Sequence, residues 1–458
     1  MRIIKYSIIT ILLFVHSILL IQAQNTEGKD FWLTFGRIAT LQPNQLNFVD
    51  MQIRVVGGSK ATEVKIFFTS LGTPPIVHNI IPYEVYTHSL DPAQKAAVYN
   101  TVMGKTNNSI HITSSHSVTV YALISITDMT DVTNVLPVNA LGTEYYQISY
   151  TEGTFSDAYA VVATQNNTIL SHNGTPVETL NAGEVYYRPS TDMTGKLVTS
   201  TKPVAFFAVH QGGTIPYGVG TATCQLMQQL APVNTWGKSF FVPVTKMESE
   251  IVRIVASKNG TDITQLGGTI RTGIPGAKTY LTGLNAGDFV ELDINLANAG
   301  CFIEANNPVG ICSYMKTSWA SGFLSHPSQC WIPGREQTVT NALIAPFTPN
   351  NQILLNTYNY ALIITPTASI GNTMVSIGGA APMGVSGDTW IPNAASGMSF
   401  YSMPLTNTTE SYFFSNPQGL IIFGYGLGSV YTFWSYYYLA YSAMRDLQAT
   451  FSANNVLH

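Results

Sequence analysis

Leu180-Asn181-Ala182-Gly183 and Leu284-Asn285-Ala286-Gly287 are the same four residues, and each is followed by an acid, Glu184 or Asp288, and then an aromatic or β-branched run. Such a stretch is a turn that launches a strand. Pro82–Tyr86 and Asn393–Tyr401 are looser counterparts. Self-similarity at a spacing of roughly a hundred residues marks an array of like units, so this repeat decides how the chain is read.

Two further landmarks lie on either side of that turn. One opens each unit: Gly28-Lys29-Asp30-Phe31-Trp32 parallels Gly142-Thr143-Glu144-Tyr145-Tyr146 and Gly237-Lys238-Ser239-Phe240-Phe241. The second and third copies follow Leu136-Pro137-Val138-Asn139 and Ala231-Pro232-Val233-Asn234, and Ala345-Pro346-Phe347 is a degenerate fourth. The other landmark closes each unit. Val198–Ala205, Ile112–Thr119 and Ile303–Gly310 align, with Phe414–Gly419 as a weaker match, and each reads as strand, turn at Pro or Ser, and returning strand. Between the landmarks, Asn166-Asn167 and Asn259-Gly260 predict further hairpin turns.

Six or seven short strands per unit predict an all-β protein of about four tandem β-sandwich-like modules of roughly a hundred residues each. Their expected bounds are 24–135, 136–230, 231–343 and a degenerate 344–458 with a short C-terminal tail. The alternative is a propeller-like closed β array, although propeller blades are usually nearer ~40–50 residues. Helix is expected only from Asp91-Pro92 through Val98 and over Ser442–Phe451. The uncharged Gly419–Met444 is long enough to span a membrane. Its glycines, its aromatics and its register with the closing landmark assign it to strands.

Residues 1–23 form a secretory leader: Arg2 and Lys5, an apolar run from Tyr6 to Ile21, and a small residue at Ala23, after which the cut is expected. The apolar run is shorter than the ~20 residues of a spanning helix. Export makes the protein secreted, extracellular or at the cell surface, with a periplasmic location also open, and with no membrane span after cleavage.

Charged residues make up 10% of the chain and aromatics 11%, which suits extracellular β-structure. The net charge of −4 gives no electrostatic reason for nucleic acid as a partner. An even number of cysteines in an oxidising compartment suggests disulfides. Cys301 and Cys312 flank the expected hairpin Phe302–Ile311 and could face one another across it; Cys224 and Cys330 are the remaining pair. None has C-x-x-C spacing, so zinc is disfavoured. Five sequons, at Asn107, Asn166, Asn173, Asn259 and Asn407, point to exposed loops.

H-E-x-x-H, G-x-S-x-G and Walker motifs are all missing from the sequence. Gly424, Gly426 and Gly428 alternate, which is not the dinucleotide spacing. His111, His116 and His210 are scattered and read as structural. Asp128, Asp131 and Asn134 could contribute to a calcium site, but they lack the Gly and terminal Glu of an EF-hand loop and read as a solvated loop. The expectation is a non-enzyme with no cofactor and no metal. The candidate ligand-binding residues are aromatics in the long connectors: Tyr217 in 211–229, and Trp319, Phe323 and Trp331 in 316–339.

Gly28–Phe35, Leu136–Tyr146, Lys202–Ala205, and Cys224 leading into Gln229–Gly237 together resemble the N-terminal domain of the IgG Fc-binding protein family. The likeness runs from about Gly28 to Cys330 and fades in the fourth unit. It implies an extracellular binding or mucus-associated module that also occurs widely in bacterial secreted proteins, and Gln22-Ala23-Gln24 is similar to leader ends of the Bacteroidetes group. The chain lacks the Cys-rich von Willebrand type D repeats of the animal protein. The expected partner is a glycoprotein, mucin or protein ligand. A structural surface or matrix component is the second reading, and a carbohydrate-active enzyme the third.

Overall fold

The computed structural model describes residues 25–449 except 40, 42, 127–128, 151–154, 219–223, 321–322, 348–357, 386–388 and 429–433. The leader, including the expected cut after Ala23, lies outside the described residues.

The first unit shows the plan. Its strands are β1 (Gly28–Leu33), β2 (Asp50–Gly57), β3 (Thr62–Phe68), β4 (Ile76–Ile80), β5 (Val85–Ser89), β6 (Ile110–Ile126) and β7 (Met129–Val135). The long β6 belongs to two sheets. Its first half, Ile110–Ser114, lies between β1 and β3, and β4 adds to β3. Its second half, from Val118 on, lies between β2 and β7, and β5 adds to β2. A strand that turns a corner from one sheet to the other is a standard device of β-sandwiches.

The same plan recurs around Leu197–Gly213 and Tyr412–Leu427. In the third unit the long strand is interrupted at the corner into Cys301–Ala305 and Val309–Met315. Proline sits at or beside that corner in three units, Pro203, Pro308 and Pro417, where a strand leaving one ladder can spare an N–H.

This corrects the closing landmark. The chain runs on into the other sheet and does not fold back on itself. The turns at Asn166-Asn167 and Asn259-Gly260 are arches of the same kind, because the strands on either side pair with different halves of the long strand. Apolar periodicity does not distinguish a hairpin from an arch.

The repeated turn builds the same structure each time. Gly183 and Gly287 adopt φ of 84° and 83°, the left-handed conformation that glycine takes freely. The acid after each accepts the backbone N–H of Asn181 (2.6 Å) or Asn285 (2.9 Å). An upstream amide oxygen, Asn166 Oδ1 or Asn259 Oδ1, accepts the N–H of Ala182 or Ala286.

The four units close into a ring. The innermost strands, β7, Cys224–Gln229, Ser328–Ile332 and Ser435–Tyr441, each pack on two neighbours around a common axis. A ring of sandwiches satisfies both expectations: sandwich describes the unit, and closed array describes the arrangement. Ser109 Oγ donates to Gly183 O across the first seam, and Ser411 Oγ, at the matching position of unit four, donates to Tyr83 O across the closing seam, both at 2.7 Å. The opening glycines mark where the next linker crosses. A Cβ on Gly28 would lie 2.3 Å from Pro137, and one on Gly142 would lie 2.5 Å from Pro232.

Outside the sheets, Asp91 caps the short helix Pro92–Ala96 with Gln94 completing a capping box. The helix expected over Ser442–Phe451 does not form in its described part; Ala443 instead bridges Asn25 in extended chain. Tyr412–Leu427 and Ser435–Tyr441 are strands, and among the described residues no helix is long and apolar enough to cross a membrane.

Candidate ligand-binding face

The connectors that deliver β2 and β7 both arrive beside the end of β6, and the other units repeat this. Connectors of successive units therefore meet and interlock. Ala39 N–H donates to Gln211 O (2.7 Å) and Thr317 N–H to Ile215 O (2.8 Å), while Lys246 N–H reaches the hydroxyl of Tyr425 on the next unit's strand Tyr412–Leu427 (3.4 Å). Loops gathered on a rigid ring are the usual seat of recognition.

The candidate aromatics divide there. Tyr217 is half-buried, and its N–H donates to the Tyr150 hydroxyl at 2.9 Å. Trp319 and Phe323 lie on a two-stranded hairpin, Ser318–Ala320 with Phe323–Ser325, beside the Tyr217 connector through the Thr317–Ile215 bond. The structure thus brings these three positions to one place. Trp331 does not join them. It is 4% exposed and packs against Trp236 with ring centroids 5.8 Å apart, so it is a core residue whose indole has no face to offer a ligand.

Beneath the connectors lies a charged cluster. Arg253 is fully buried; its Nε donates to Glu291 Oε2 at 2.8 Å and its Nη1 to Ser149 O at 2.9 Å. The guanidinium sits over the Tyr150 ring, 4.1 Å from the centroid, and Tyr150 donates to Glu291 Oε1 at 3.2 Å. Arg271 reaches the same carboxylate at 3.4 Å. Burial alone would pull the Arg253 guanidinium down, and Glu291, Tyr150 and Tyr314 together more than reverse it. The chain Tyr217–Tyr150–Glu291–Arg253 fixes the connector to the seam between units two and three. Sequence reasoning missed this cluster, although a lone arginine inside Ile251-Val252-Arg253-Ile254-Val255 was its signal.

Other readings are corrected by burial. Asp131 and Asn134 are not in a solvated loop; they are buried at the ring axis, and Asp128 lies outside the described residues. Asp131 accepts from Met227 N–H (2.8 Å) and Val132 N–H (3.0 Å), clasping units one and two, and burial holds its carboxyl well above the usual range. Asp157 pairs across the ladder with His210. Burial pushes Asp157 up to about 7 and pulls His210 down to about 3. Among the described residues no group of His, Cys, Asp and Glu could hold a metal ion.

All four cysteines are buried free thiols. Cys301 and Cys312 lie on successive segments in different sheets, so no hairpin sets them face to face. Cys312 is opposite Trp331 and Cys330 is opposite Ser313, which points these two to opposite faces of one sheet. Cys224 begins its strand beside Thr130, its Sγ 3.8 Å from that carbonyl, and is not bridged to Cys330. The five sequon asparagines are exposed, as expected.

A polar cleft of about 660 Å³ opens at the closing seam, lined in part by Glu27, Tyr83, Asn341, Gln418, Tyr441 and Arg445. Two of these residues serve ring closure, since Tyr441 donates to Glu27 Oε2 at 2.7 Å.

The IgGFc binding protein family model matches the chain twice, over residues 19–191 and 179–426, and so covers all four units. The chain belongs to the IgGFc-binding protein family. A member from Homo sapiens, the IgGFc-binding protein, is 29% identical over 208 residues. That alignment takes in 41% of this chain and 4% of the human protein, so this chain spans a small part of its relative's length. By its description the IgGFc-binding family is one of binding proteins. Here its repeat landmarks are accounted for as the glycines, prolines and acids that build one sandwich and join it to the next.

Proposed function

We propose that this chain is a secreted binding protein that recognises a glycoprotein, mucin-like or protein ligand through the connector end of the ring. The observation that carries this is the convergence of Tyr217 with the Trp319 and Phe323 positions on interlocked connectors anchored to a buried charged seam. Aromatic residues on a rigid platform suit both sugar rings and protein hot spots. Membership in a binding family supports the same reading. The fully buried carboxylates support a non-catalytic role, because their duties lie within the fold: Asp131, Asp157, Glu250 and Glu291 all accept hydrogen bonds from its own donors.

The test is a glycan array, a mucin overlay and a pull-down on immobilised immunoglobulin Fc, all with the protein lacking residues 1–23. Binding to one of these, weakened at least tenfold in Tyr217→Ala or Trp319→Ala without loss of thermal stability, is the expected result. Retention of full affinity in both variants would move the site elsewhere on the ring. The N-terminal residue of the exported protein, read by mass spectrometry, checks the cut after Ala23.

A further inference from the structure

One backbone hydrogen bond recurs at the same position in all four units. Gly57, Ala163, Ala256 and Thr367 donate their N–H to Glu84, Glu184, Asp288 and Gly397, respectively. That bond sets the register of β5 and its counterparts Val185–Ser190, Phe289–Asn295 and Met398–Pro404, so that Val85 and Thr87 correspond to Val185 and Tyr187, to Phe289 and Glu291, and to Met398 and Phe400.

In three units the outer edge of this strand is covered. Gly104–Thr106, supplied by unit one, pairs with Val185–Tyr187 of unit two. In unit three, Lys278 and Arg271 donate N–H to the carbonyls of Phe289 and Glu291. In unit four, Asn393 and Ile391 pair with Met398 and Phe400. In unit one β5 ends its sheet, and among the described residues no strand pairs with Val85 or Thr87 on the outer side. Chain length gives the reason. The strand for unit two comes from the 90–109 connector, and the equivalent connector of unit four, which would serve unit one, is only 405–411.

An unmatched charge lies beside this edge. Arg54 occupies the ladder position of Arg253, and both are arginines over an aromatic ring of the preceding unit: Arg253 over Tyr150 at 4.1 Å, Arg54 over Phe347 at 5.0 Å. Arg253 has Glu291 across the ladder, whereas Arg54 has Thr87, whose hydroxyl accepts from Nε at 3.0 Å. Arg54 is 6% exposed, forms no ion pair with a carboxylate among the described residues, and its Nη1 has no hydrogen-bond partner. The sequence from 348 to 357, which follows Phe347, contains no acid.

We propose that the outer edge of β5 is a docking site for an extended acidic peptide segment of a partner, which adds as a strand and presents a carboxylate to Arg54. Unit three shows that a charged side chain on a covering segment reaches this place: Arg271, opposite Glu291, joins the Arg253–Glu291 pair, with the carboxylate there on the covered strand. Strand addition supplies the affinity through main-chain bonds to Val85 and Thr87, and side-chain sign supplies the selectivity. A residue opposite Thr87 lies on the Arg54 face, where a carboxylate meets a guanidinium that is already desolvated. The adjacent peptide position favours a lysine. In unit two Lys105 fills it, 3.7 Å from Glu184, and Glu84 stands in the same place in unit one. The site is separate from the connector face and does not depend on it.

The probe is the fluorescently labelled peptide Val-Met-Glu-Lys-Thr-Asn-Asn, blocked at the C-terminus, which is the 102–108 segment with Gly104→Glu. Its binding to the protein lacking residues 1–23 is read by anisotropy, together with a Gln version and a version N-methylated at the Glu. The Glu peptide should bind at least tenfold more tightly than either. Arg54→Met should erase the Glu-over-Gln preference. Thr87→Glu, which installs in cis the carboxylate of unit three, should abolish binding and raise the Tm. Equal binding of the Glu and Gln peptides, unchanged binding of the N-methylated one, undiminished binding to Thr87→Glu, or no binding up to millimolar peptide would each overturn the proposal. The raised Tm in Thr87→Glu shows that the variant is folded.

Discussion

The seam between units two and three and the seam that closes the ring between units four and one place the same residue in the same spot and treat it differently. Arg253 meets a buried carboxylate, Glu291, with Arg271 beside it. Arg54 meets a hydroxyl and a set of rings. Tyr121 is edge-on to Tyr438 at 5.0 Å, Trp434 edge-on to Tyr436 at 5.1 Å, and Phe347 packs among them. The tyrosine hydroxyls are satisfied at carbonyls and an amide: Tyr121 at Leu343 O, Tyr438 at Ala345 O, and Tyr436 at Asn359 Oδ1. Gly424 and Gly426 are bare because a Cβ on either would lie 2.4 Å from the Tyr438 or Tyr436 ring, which explains their alternation. Burial pulls the Arg54 guanidinium down, and among the described residues no carboxylate pairs with it to restore it. A seam between consecutive units can carry a costly buried ion pair. The closing seam, whose partners lie at opposite ends of the sequence, relies on aromatic area, which is forgiving of small misalignment.

The sharpest way to break that contrast is to remove each arginine. Arg253→Met leaves the buried Glu291 with Arg271, at 3.4 Å, as its remaining cation and is expected to cost about 3 kcal/mol in urea unfolding. Arg54→Met removes a charge that has no carboxylate and should change stability by less than about 1 kcal/mol in either direction. Equal losses would mean that the two seams are alike.

The second unit, beside the ion-paired seam, carries two opposed pH dependences. Asp157 keeps its proton in the folded state up to about 7 against an ordinary 3.8, so its contribution falls as pH rises from about 4 to 7. His210 stays neutral down to about 3 against an ordinary 6.5, so its contribution falls as pH drops from about 6.5 to 3. The two oppose one another across pH 4–6.5. Asp157→Asn should therefore leave a stability that rises from pH 4 to 6.5, and His210→Gln one that falls from 4 to 7, each by on the order of 2 kcal/mol. Parallel profiles in the two variants would remove the pairing from the account.

Backbone contact sharpens the comparison further. A Cβ on Gly195 would lie 1.9 Å from Gly287 O, and its φ is 82°, so Gly195→Ala should cost ~1–3 kcal/mol by thermal melt. At the closing seam the matching residue is Ser411, and Ser411→Ala, which loses the bond to Tyr83 O, should cost only ~1 kcal/mol.

Much of the unit was legible in the sequence. The identical Leu-Asn-Ala-Gly turns, the glycine at each opening and the proline at each corner are local requirements that leave local marks. Pairing partners left no such mark. Val161 and Leu170 alternate like the two arms of a hairpin but pair with opposite halves of one long strand. Trp331 sits in a connector by position and in the core by burial, and only the return of its strand to the axis decides between them. The buried charges were visible as single residues in apolar strands, but their partners lie 38 to 104 positions away, as with Arg253 to Glu291 and to Ser149.

The ends of the ring meet. Asn25 bridges Ala443, and Thr26 N–H donates to Ser442 O at 3.1 Å. The circle is thus fastened by residues separated by almost the whole sequence, and during synthesis it stays open until residue 443 has emerged. Loop-closure entropy makes such a join a late event in folding. The meeting of the ends also makes the choice of first unit interchangeable. A circular permutant that joins 443 to 25 through a short Gly/Ser linker and opens the chain at the linker before Gly142 should assemble the same ring, with the aromatic seam turned into an internal junction and the first seam into the clasp.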